Sequence, residues 1–594
     1  FESVKVFNAQ SPSQYLGDKL YFEIRWQDYL GRFDKLWELS KESFSSDLID
    51  KKAEEAGKKL QRVPITETLA QDLEKSREIL ANDLSKWNDN LTKEILDEGV
   101  QKILDRLIFL RVVEDRGIEP PILKPMVNQW ESGGKKTTLY RSMISKFREL
   151  DEYYNSNLFS KDVSEEWDEY SDAVKRVVRI LYGKEGYYEY DFSVMPADIL
   201  GGVYENYLGY KLSQSKKGLT VDKAAGKRKE QGIYYTPTFI VDYIVKNALK
   251  SVLDKCTSVA DLKKIKVLDP ACGSGSFLIK ALDVIAEKYK EFNYKDDQNL
   301  RTQIVLENLY GVDLDEQAVE IARLNLLVSS LEERAKLPSL ENNIKNGNSL
   351  ISGTDEELEK YFGKNFRDKK PFNWQEKFPK VFEQGGFDVI IGNPPWVSLK
   401  GKQSSADIDA DEFDFFVSNH YVNTASPNLY EAFIHKSLSI LKDGGTLSFI
   451  IPDRFFYNEG LIQLREEILR ATSIRNLLFN FKFPGIIADT AVFVLEKKQD
   501  ENNKFIFNVY GREHGQEMSQ KQYLKTKNYA ISLVDTSIDS VFSKIRLKSK
   551  PLGSILKTTS GCGAKSSMIH DSQENPQEIK IIKGLETLTP KTKL

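Results

Sequence analysis

The stretch FDVIIGNPPWV, Phe387 to Val397, ends a run of strand formers in an amide, two imides and an indole. That grouping suits a planar amine. The side-chain carbonyl of Asn393 and the backbone carbonyl of Pro394 can each accept one of the amine's two hydrogens. Two acceptors aimed in this way favour a pyramidal, nucleophilic nitrogen. Pro394 and Pro395 each fix φ, so the acceptors are in place before a ligand arrives. Trp396 adds a face on which a flat ring can stack, worth roughly 1–3 kcal/mol. The competing reading is a proline-rich turn closing a strand.

Three upstream segments weigh against that plain turn. KVLDPACGSGSFLIKALDVI, Lys266 to Ile285, is a strand, a glycine turn and an amphipathic helix. Gly273 and Gly275 permit positive φ and close approach of a ligand, and the following helix points amides at the turn. No Gly-Lys-Ser/Thr follows, so this is not a Walker-type phosphate loop. YGVDLDEQAVEIA places Asp313 at a second strand tip, 44 residues after Asp269. A carboxylate there can accept hydrogen bonds from ribose hydroxyls, and an ordinary acid at a helix N-terminus is the alternative. In QGIYYTPTFIVDYIVKNAL, Thr236 reads as an N-cap and Pro237 as the first helical residue.

These residues need a scaffold, and the chain between them alternates. Strand-like KVLDP, LYGVDL, FDVIIGN, TLSFIIP, IRNLLFNF and TAVFVLEK are separated by helix-like SGSFLIKALDVIAEKY, EQAVEIARLNLLVSSL and NLYEAFIHKSLSILK. That predicts a mostly parallel α/β sheet. Gly444-Gly445 reads as a turn before a strand. The first ~225 residues read as mostly helical, with Val100, Ile103, Leu104, Leu107 and Ile108 on one stripe that Gly117 and Pro120-Pro121 stop. Lys211 to Gly232 carries seven basic residues against two acidic ones and reads as a loop, either a solvated linker or a phosphate contact.

Composition narrows the classes. The 594 residues are 40% hydrophobic and 29% charged with net charge −4, which fits a globular protein of about three or four domains. No apolar run of about 18 residues is present, so no membrane partner is expected. Cys256, Cys272 and Cys562 form no paired motif and only four histidines exist, which argues for a reducing, cytoplasmic setting and no metal site. The chain begins at Phe1 with no signal peptide and reads as a fragment or processed product.

VLDPACGSGSF with GVDLD resembles the S-adenosylmethionine (AdoMet) site of DNA methyltransferases. The resemblance implies that Asp269, Pro270, Ala271, Gly273 and Gly275 line the cofactor's methionine half and that Asp313 holds its ribose. Asn348 and Ser349 of IKNGNSL would lie against the adenine ring; relatives more often have Asp at the first position. Asn393, Pro394, Pro395 and Trp396 match the Asn-Pro-Pro-aromatic motif of amino-methyltransferases, whose aromatic is more often Tyr or Phe. The Thr-Pro segment preceding the glycine loop is the order of the gamma-class adenine-N6 enzymes, and implies that amides after Thr236 hold the cofactor carboxylate. FKFPGIIADTAVFVLEK resembles the late motif that packs an aromatic on the extruded adenine, with Phe483 the first choice and Phe481 the second.

LDRLIFLRVVEDRGI followed far downstream by GIYYTPTFIV resembles the connector and methyltransferase of type IIG restriction–modification enzymes. The implied fold is a Rossmann-like AdoMet-dependent methyltransferase domain with a large N-terminal α-helical domain. The implied domains are 1–50, a remnant of an upstream domain; 51–225, a helical connector; 226–548, the methyltransferase; and 549–594, the start of a truncated target recognition domain. The implied activity is site-specific methylation of adenine N6 in double-stranded DNA by base flipping. No nuclease carboxylate–lysine cluster stands out in the first 50 residues, so a nuclease and a full recognition domain are expected elsewhere in a parent chain. The alternatives are a type I modification subunit, methylation of a protein glutamine or RNA, and a non-catalytic DNA-binding subunit.

Overall fold

The computed structural model describes residues 3–7, 20–37, 40, 65–89, 91–133, 137–154, 158–170, 172–184, 188–193, 195, 210–215, 218–223, 236–292, 294, 299–331, 337–399, 408–419, 422, 427–482, 489–500, 502–512, 514–532, 545 and 549–550. The chain divides into two compact units, Phe1–Ile531 and Ser532–Leu594. In the second, the only described residues are 532, 545 and 549–550, so the recognition segment expected at 549–594 lies almost wholly outside them.

The helical block holds α1 (Ile65–Trp87) and α2 (Lys93–Asp115). Thr92 caps α2 by accepting from the Ile95 amide. The stripe Val100, Ile103, Leu104, Leu107 and Ile108 is buried as expected, and so is most of the opposite face, which makes α2 the central helix. The helix stops where Gly117 takes a φ of +69° and Ile118 donates back to the Val113 carbonyl. Inside, Arg106 meets Asp162 at 2.7 Å and Glu165 at 3.1 Å, and also donates to the carbonyls of Leu158 and Ser160.

The first ~225 residues, read as mostly helical, also hold strand pairs besides the short one of Gly183–Lys184 with Tyr188–Glu189. Ser3–Phe7 pairs antiparallel with Leu20–Arg25, and Tyr210–Ser215 with Gly218–Lys223. The second hairpin replaces the first part of the loop expected at Lys211 to Gly232. Its anchor is remote: Asn82 on α1 brackets Leu219, donating to its carbonyl at 2.6 Å and accepting from its amide at 2.8 Å. The rest of that basic segment lies outside the described residues.

Among the described residues nine strands form the main sheet: β1 (Val267–Asp269), β2 (Leu309–Asp313), β3 (Ile344–Asn346), β4 (Phe387–Gly392), β5 (Leu441–Pro452), β6 (Ser473–Lys482), β7 (Asp489–Glu496), β8 (Lys504–Val509) and β9 (Gln516–Ser519). Their order is β9-β8-β6-β7-β5-β4-β1-β2-β3. From β3 to β5 neighbours run parallel, and β7 enters antiparallel between β5 and β6. The order reverses between β1 and β4, so the crevice lies outside their carboxyl ends, as in a Rossmann-like methyltransferase domain. Val267, Leu268, Ile390 and Leu447 are fully buried, as central parallel strands require. Gly444 and Gly445 do not precede a strand as read from the sequence. They lie within β5, where the register against β4 shifts.

The helical block and the sheet are joined by polar contacts. Arg116 donates to the Val328 carbonyl at 2.6 Å, and the Leu337 amide to the Tyr154 carbonyl at 3.0 Å. Val328 lies on α3 (Glu316–Ser330), the helix that follows Asp313.

Candidate active site

Four strand tips converge on the crevice. Asp269 closes β1, Asp313 closes β2, Asn348 and Ser349 follow β3, and Asn393 follows β4. Asp313 is level with Asn346 of β3, and Asp269 with Gly311, two residues before Asp313 on β2.

The glycine turn is braced from two sides. Gly273 and Gly275 have φ of +50° and +86°, as the sequence requires of them. The Gly273 amide donates to Asp313 Oδ2 at 2.9 Å, and the Cys272 amide to the Val312 carbonyl at 3.0 Å. The Ala271 amide donates to Asp269 Oδ1 at 3.1 Å, and Ser349 Oγ to the Pro270 carbonyl at 2.6 Å. Thus Asp269, Pro270, Ala271, Gly273, Asp313 and Ser349 form one connected cradle. Trp374, which the sequence reading did not single out, completes it by donating to the Ser349 carbonyl at 3.1 Å. Asn348 accepts from the Leu350 amide at its Oδ1 and donates its own amide to the Lys370 carbonyl.

Asp313 also takes the Asp315 amide at Oδ1, 2.9 Å away. Burial pushes its carboxyl up to about 6, against the pull of the amide bonds from Asp315 and Gly273. Each oxygen keeps a further lone pair for a diol.

β4 approaches β1 closely just before the Asn-Pro-Pro-Trp loop. Gly392 has a φ of +154°, and a Cβ there would lie 2.7 Å from Asp269 Oδ1. Asn393 Nδ2 donates to Thr236 Oγ1 at 3.1 Å. Pro394 is buried, Pro395 and Trp396 are half-buried, and Trp396 Nε1 donates to the Ile450 carbonyl of β5 at 3.3 Å. The loop is therefore tied at both ends.

Thr236 is not the N-cap that local sequence implied. The helix α4 (Thr238–Leu253) starts after Pro237, whose ψ of 138° makes it the capping residue, and the Thr236 hydroxyl serves Asn393. Phe483 lies outside the described residues. Phe481, the second choice for stacking, is buried under Phe239 and Tyr510.

The cradle suits AdoMet. Positive-φ glycines allow backbone approach at one end, the Asp313 carboxylate keeps lone pairs that a diol can use, and the helix after Gly275 directs amides at the turn.

Comparison with known proteins agrees. Residues 307–483 match the family described as Eco57I restriction-modification methylase, and residues 246–352 the RMKL-like methyltransferase domain. The type II restriction enzyme and methyltransferase RM.Eco57I of Escherichia coli is 27% identical over 91% of this chain and 54% of its own length. The adenine-specific methyltransferase PglX of Streptomyces coelicolor is 27% identical over 38% of this chain and 19% of its own. Among solved structures, the type IIL enzyme MmeI in complex with DNA aligns over 78% of this chain and 62% of its own, at 16% identity and TM-score 0.48. The chain spans about half the length of the first curated relatives it matches.

Proposed function

Since the chain belongs to the restriction–modification methyltransferases, we propose that it is a site-specific, adenine-specific DNA methyltransferase acting on N6 of a base extruded from duplex DNA. The observation that carries this reading is the placement of Asn393 at the tip of the strand beside β1, gripped by Thr236 and adjoining the glycine cradle.

When bound, AdoMet supplies an electrophilic methyl on a sulfonium whose departure leaves a neutral thioether. The chain's own task is to position and orient. Gly273 and Gly275 admit the methionine half, Asp313 accepts from the ribose, and Asn348 and Ser349 flank the cofactor's ring. The Asn393 side-chain carbonyl and the Pro394 carbonyl accept the two hydrogens of the target amine. Trp396, its ring plane fixed through the Ile450 carbonyl, stacks on the extruded base.

The architecture assigned with this is type IIG: a connector over 51–225, the methyltransferase over 226–548 and a target recognition domain starting at 549–594, in a cytoplasmic protein that pairs modification with restriction.

The test is mass spectrometry of nucleosides from a methylation-free host expressing the full-length protein or its Asn393→Ala variant. N6-methyladenine in the first and not in the second is the expected result, with AdoMet binding retained in both. No methyladenine in either, with AdoMet still bound, would transfer the activity to a protein glutamine amide or to RNA.

A further inference from the structure

Directly after Trp396 the chain makes a neck. The Leu399 amide donates to the Pro427 carbonyl at 3.0 Å, the Leu429 amide donates to the Val397 carbonyl at 2.9 Å, and Ser398 bridges Asn428 antiparallel. The chain therefore leaves and returns at one place, and the excursion between Leu399 and Pro427 is held to the Asn393–Trp396 loop at both ends. Its described part is residues 408–419 and 422, which include a helix over Ala410–Ser418. With α5 (Asp355–Phe362) before it, that helix is α6.

Helix α6 is docked by rings and by charge. Phe415 meets Tyr361 at 5.1 Å and Phe362 at 5.4 Å, the last two residues of α5. Lys369 Nζ donates to Asp409 Oδ2 and lies 3.3 Å from Glu412 Oε2. Those two acids form the capping box of α6, each accepting the other's backbone amide. One cation thus serves both acids at the start of the helix, and Glu412 is buried.

Lys369 is joined to the cradle through the next residue. Lys370 takes a left-handed φ of +49°, which a lysine adopts only where its surroundings hold it. Its carbonyl accepts the Asn348 amide at 2.7 Å, and the Phe372 amide donates to the Ile351 carbonyl at 2.7 Å, so segments 348–351 and 370–372 are paired. A second tie comes from the other side of the neck. On α7 (Leu429–Ile440), Lys436 Nζ donates to Ser352 Oγ at 2.6 Å. Both helices that follow the amine-binding loop are therefore fastened, directly or through Lys369 and Lys370, to the run Asn348–Ser352, against which the cofactor's ring is proposed to lie.

Resting on the function proposed above, we infer that Lys369 is a positioning residue that couples the two ligands of the reaction. A cofactor ring against Asn348 favours the docked α6, and with it the neck behind Trp396, so occupancy of the cofactor site tightens binding of the target DNA. The first ligand orders contacts that the second then need not order. Linkage makes the effect run both ways, so DNA tightens cofactor binding by the same factor.

The experiment uses the full-length protein, a duplex bearing the site it methylates, and S-adenosylhomocysteine, the unreactive product of methyl donation. DNA affinity is read by fluorescence anisotropy with and without saturating S-adenosylhomocysteine, and affinity for S-adenosylhomocysteine alone by calorimetry. In the unaltered protein S-adenosylhomocysteine is expected to tighten DNA binding about fivefold or more. In Lys369→Met that ratio is expected to fall to within about twofold of one, while the free protein's affinity for S-adenosylhomocysteine stays within about twofold of the unaltered value. Lys369→Arg retains the cation and is expected to keep most of the ratio. Asp409→Asn retains an N-cap and is expected to lose part of it. A merely structural role would lower both affinities together and leave the ratio unchanged. The inference is overturned by an unaltered protein that methylates DNA without showing the ratio, by a Lys369→Met ratio equal to the unaltered one, or by a Lys369→Met loss confined to S-adenosylhomocysteine affinity. Absence of DNA methylation by the unaltered protein would remove the underlying reading itself, and is seen before any variant is made.

Discussion

Asn393 and Thr236 lie 157 residues apart in the chain and meet through one hydrogen bond, the Asn393 Nδ2 donating to the Thr236 Oγ1 at 3.1 Å. That bond fixes which end of the amide points which way. With the nitrogen committed to Thr236, the carbonyl is directed to the opposite side, where the target amine would sit under the proposed function. Thr236→Val keeps the shape and removes the acceptor. Loss of one such bond is worth about 1–2 kcal/mol, so kcat is expected to fall about tenfold while Thr236→Ser stays near the unaltered value. Single-turnover methylation kinetics would decide it, and equal rates for the two variants would refute the positioning role.

Gly392→Ala places a methyl against Asp269 at a backbone angle that favours glycine. Strain and overpacking together are expected to destabilise the protein by about 2 kcal/mol or more, seen as a lower Tm. The loss is expected to reach AdoMet binding too, because Asp269 holds the Ala271 amide of the glycine turn. A variant with unchanged melting and cofactor affinity would show that β4 and β1 need no such closeness.

Asp313 gives the proposed cofactor site a pH dependence. Its carboxyl is pushed up to about 6 by burial, and a diol is best held by the ionised form. Proton binding therefore competes with the cofactor. AdoMet affinity is expected to level off above about pH 6 and to weaken as pH falls below it. Asp313→Asn should bind more weakly and flatten that profile. Calorimetry from pH 5 to pH 8 checks the sign, and an affinity that rises on acidification would contradict the assignment.

Arg106→Met tests the helical block. The guanidinium serves two carboxylates and two carbonyls while almost wholly buried, and it lies over the Phe147 ring. Removing it leaves Asp162 and Glu165 without their central cation, and breaking a buried pair in this way costs about 3–5 kcal/mol. Thermal melting should show this as a large fall in Tm. Little change would mean that Arg148, which also reaches Glu165 at 2.7 Å, compensates.

The strand tips were legible in the sequence because composition changes abruptly where a buried run meets the crevice, as in FDVIIG before Asn393 and KVLD before Pro270. What stayed hidden depends on partners far away in the chain. Lysines obscure the alternation of the hairpin at 210–223, and its anchor is Asn82 on α1. The edge strands β3 and β9, and β8 beside β9, carry few buried residues each. Thr236 followed the local rules for an N-cap until Asn393, delivered by β4, took its hydroxyl. Phe481 and Phe239 have the same side chain, and only the folded sheet decides which one is covered.

The joining of Asn393 to Thr236 also orders events on the ribosome. At a synthesis rate of about 5–20 residues per second, the threonine emerges on the order of ten to thirty seconds before the asparagine it must hold. Ile450, which fixes Trp396, follows later still. A growing chain can thus complete β1, β2 and β3, with the glycine turn and Asp313, well before it has a loop able to orient an amine. The residues proposed to hold the cofactor, from Asp269 to Ser349, are all made before those proposed to orient the amine.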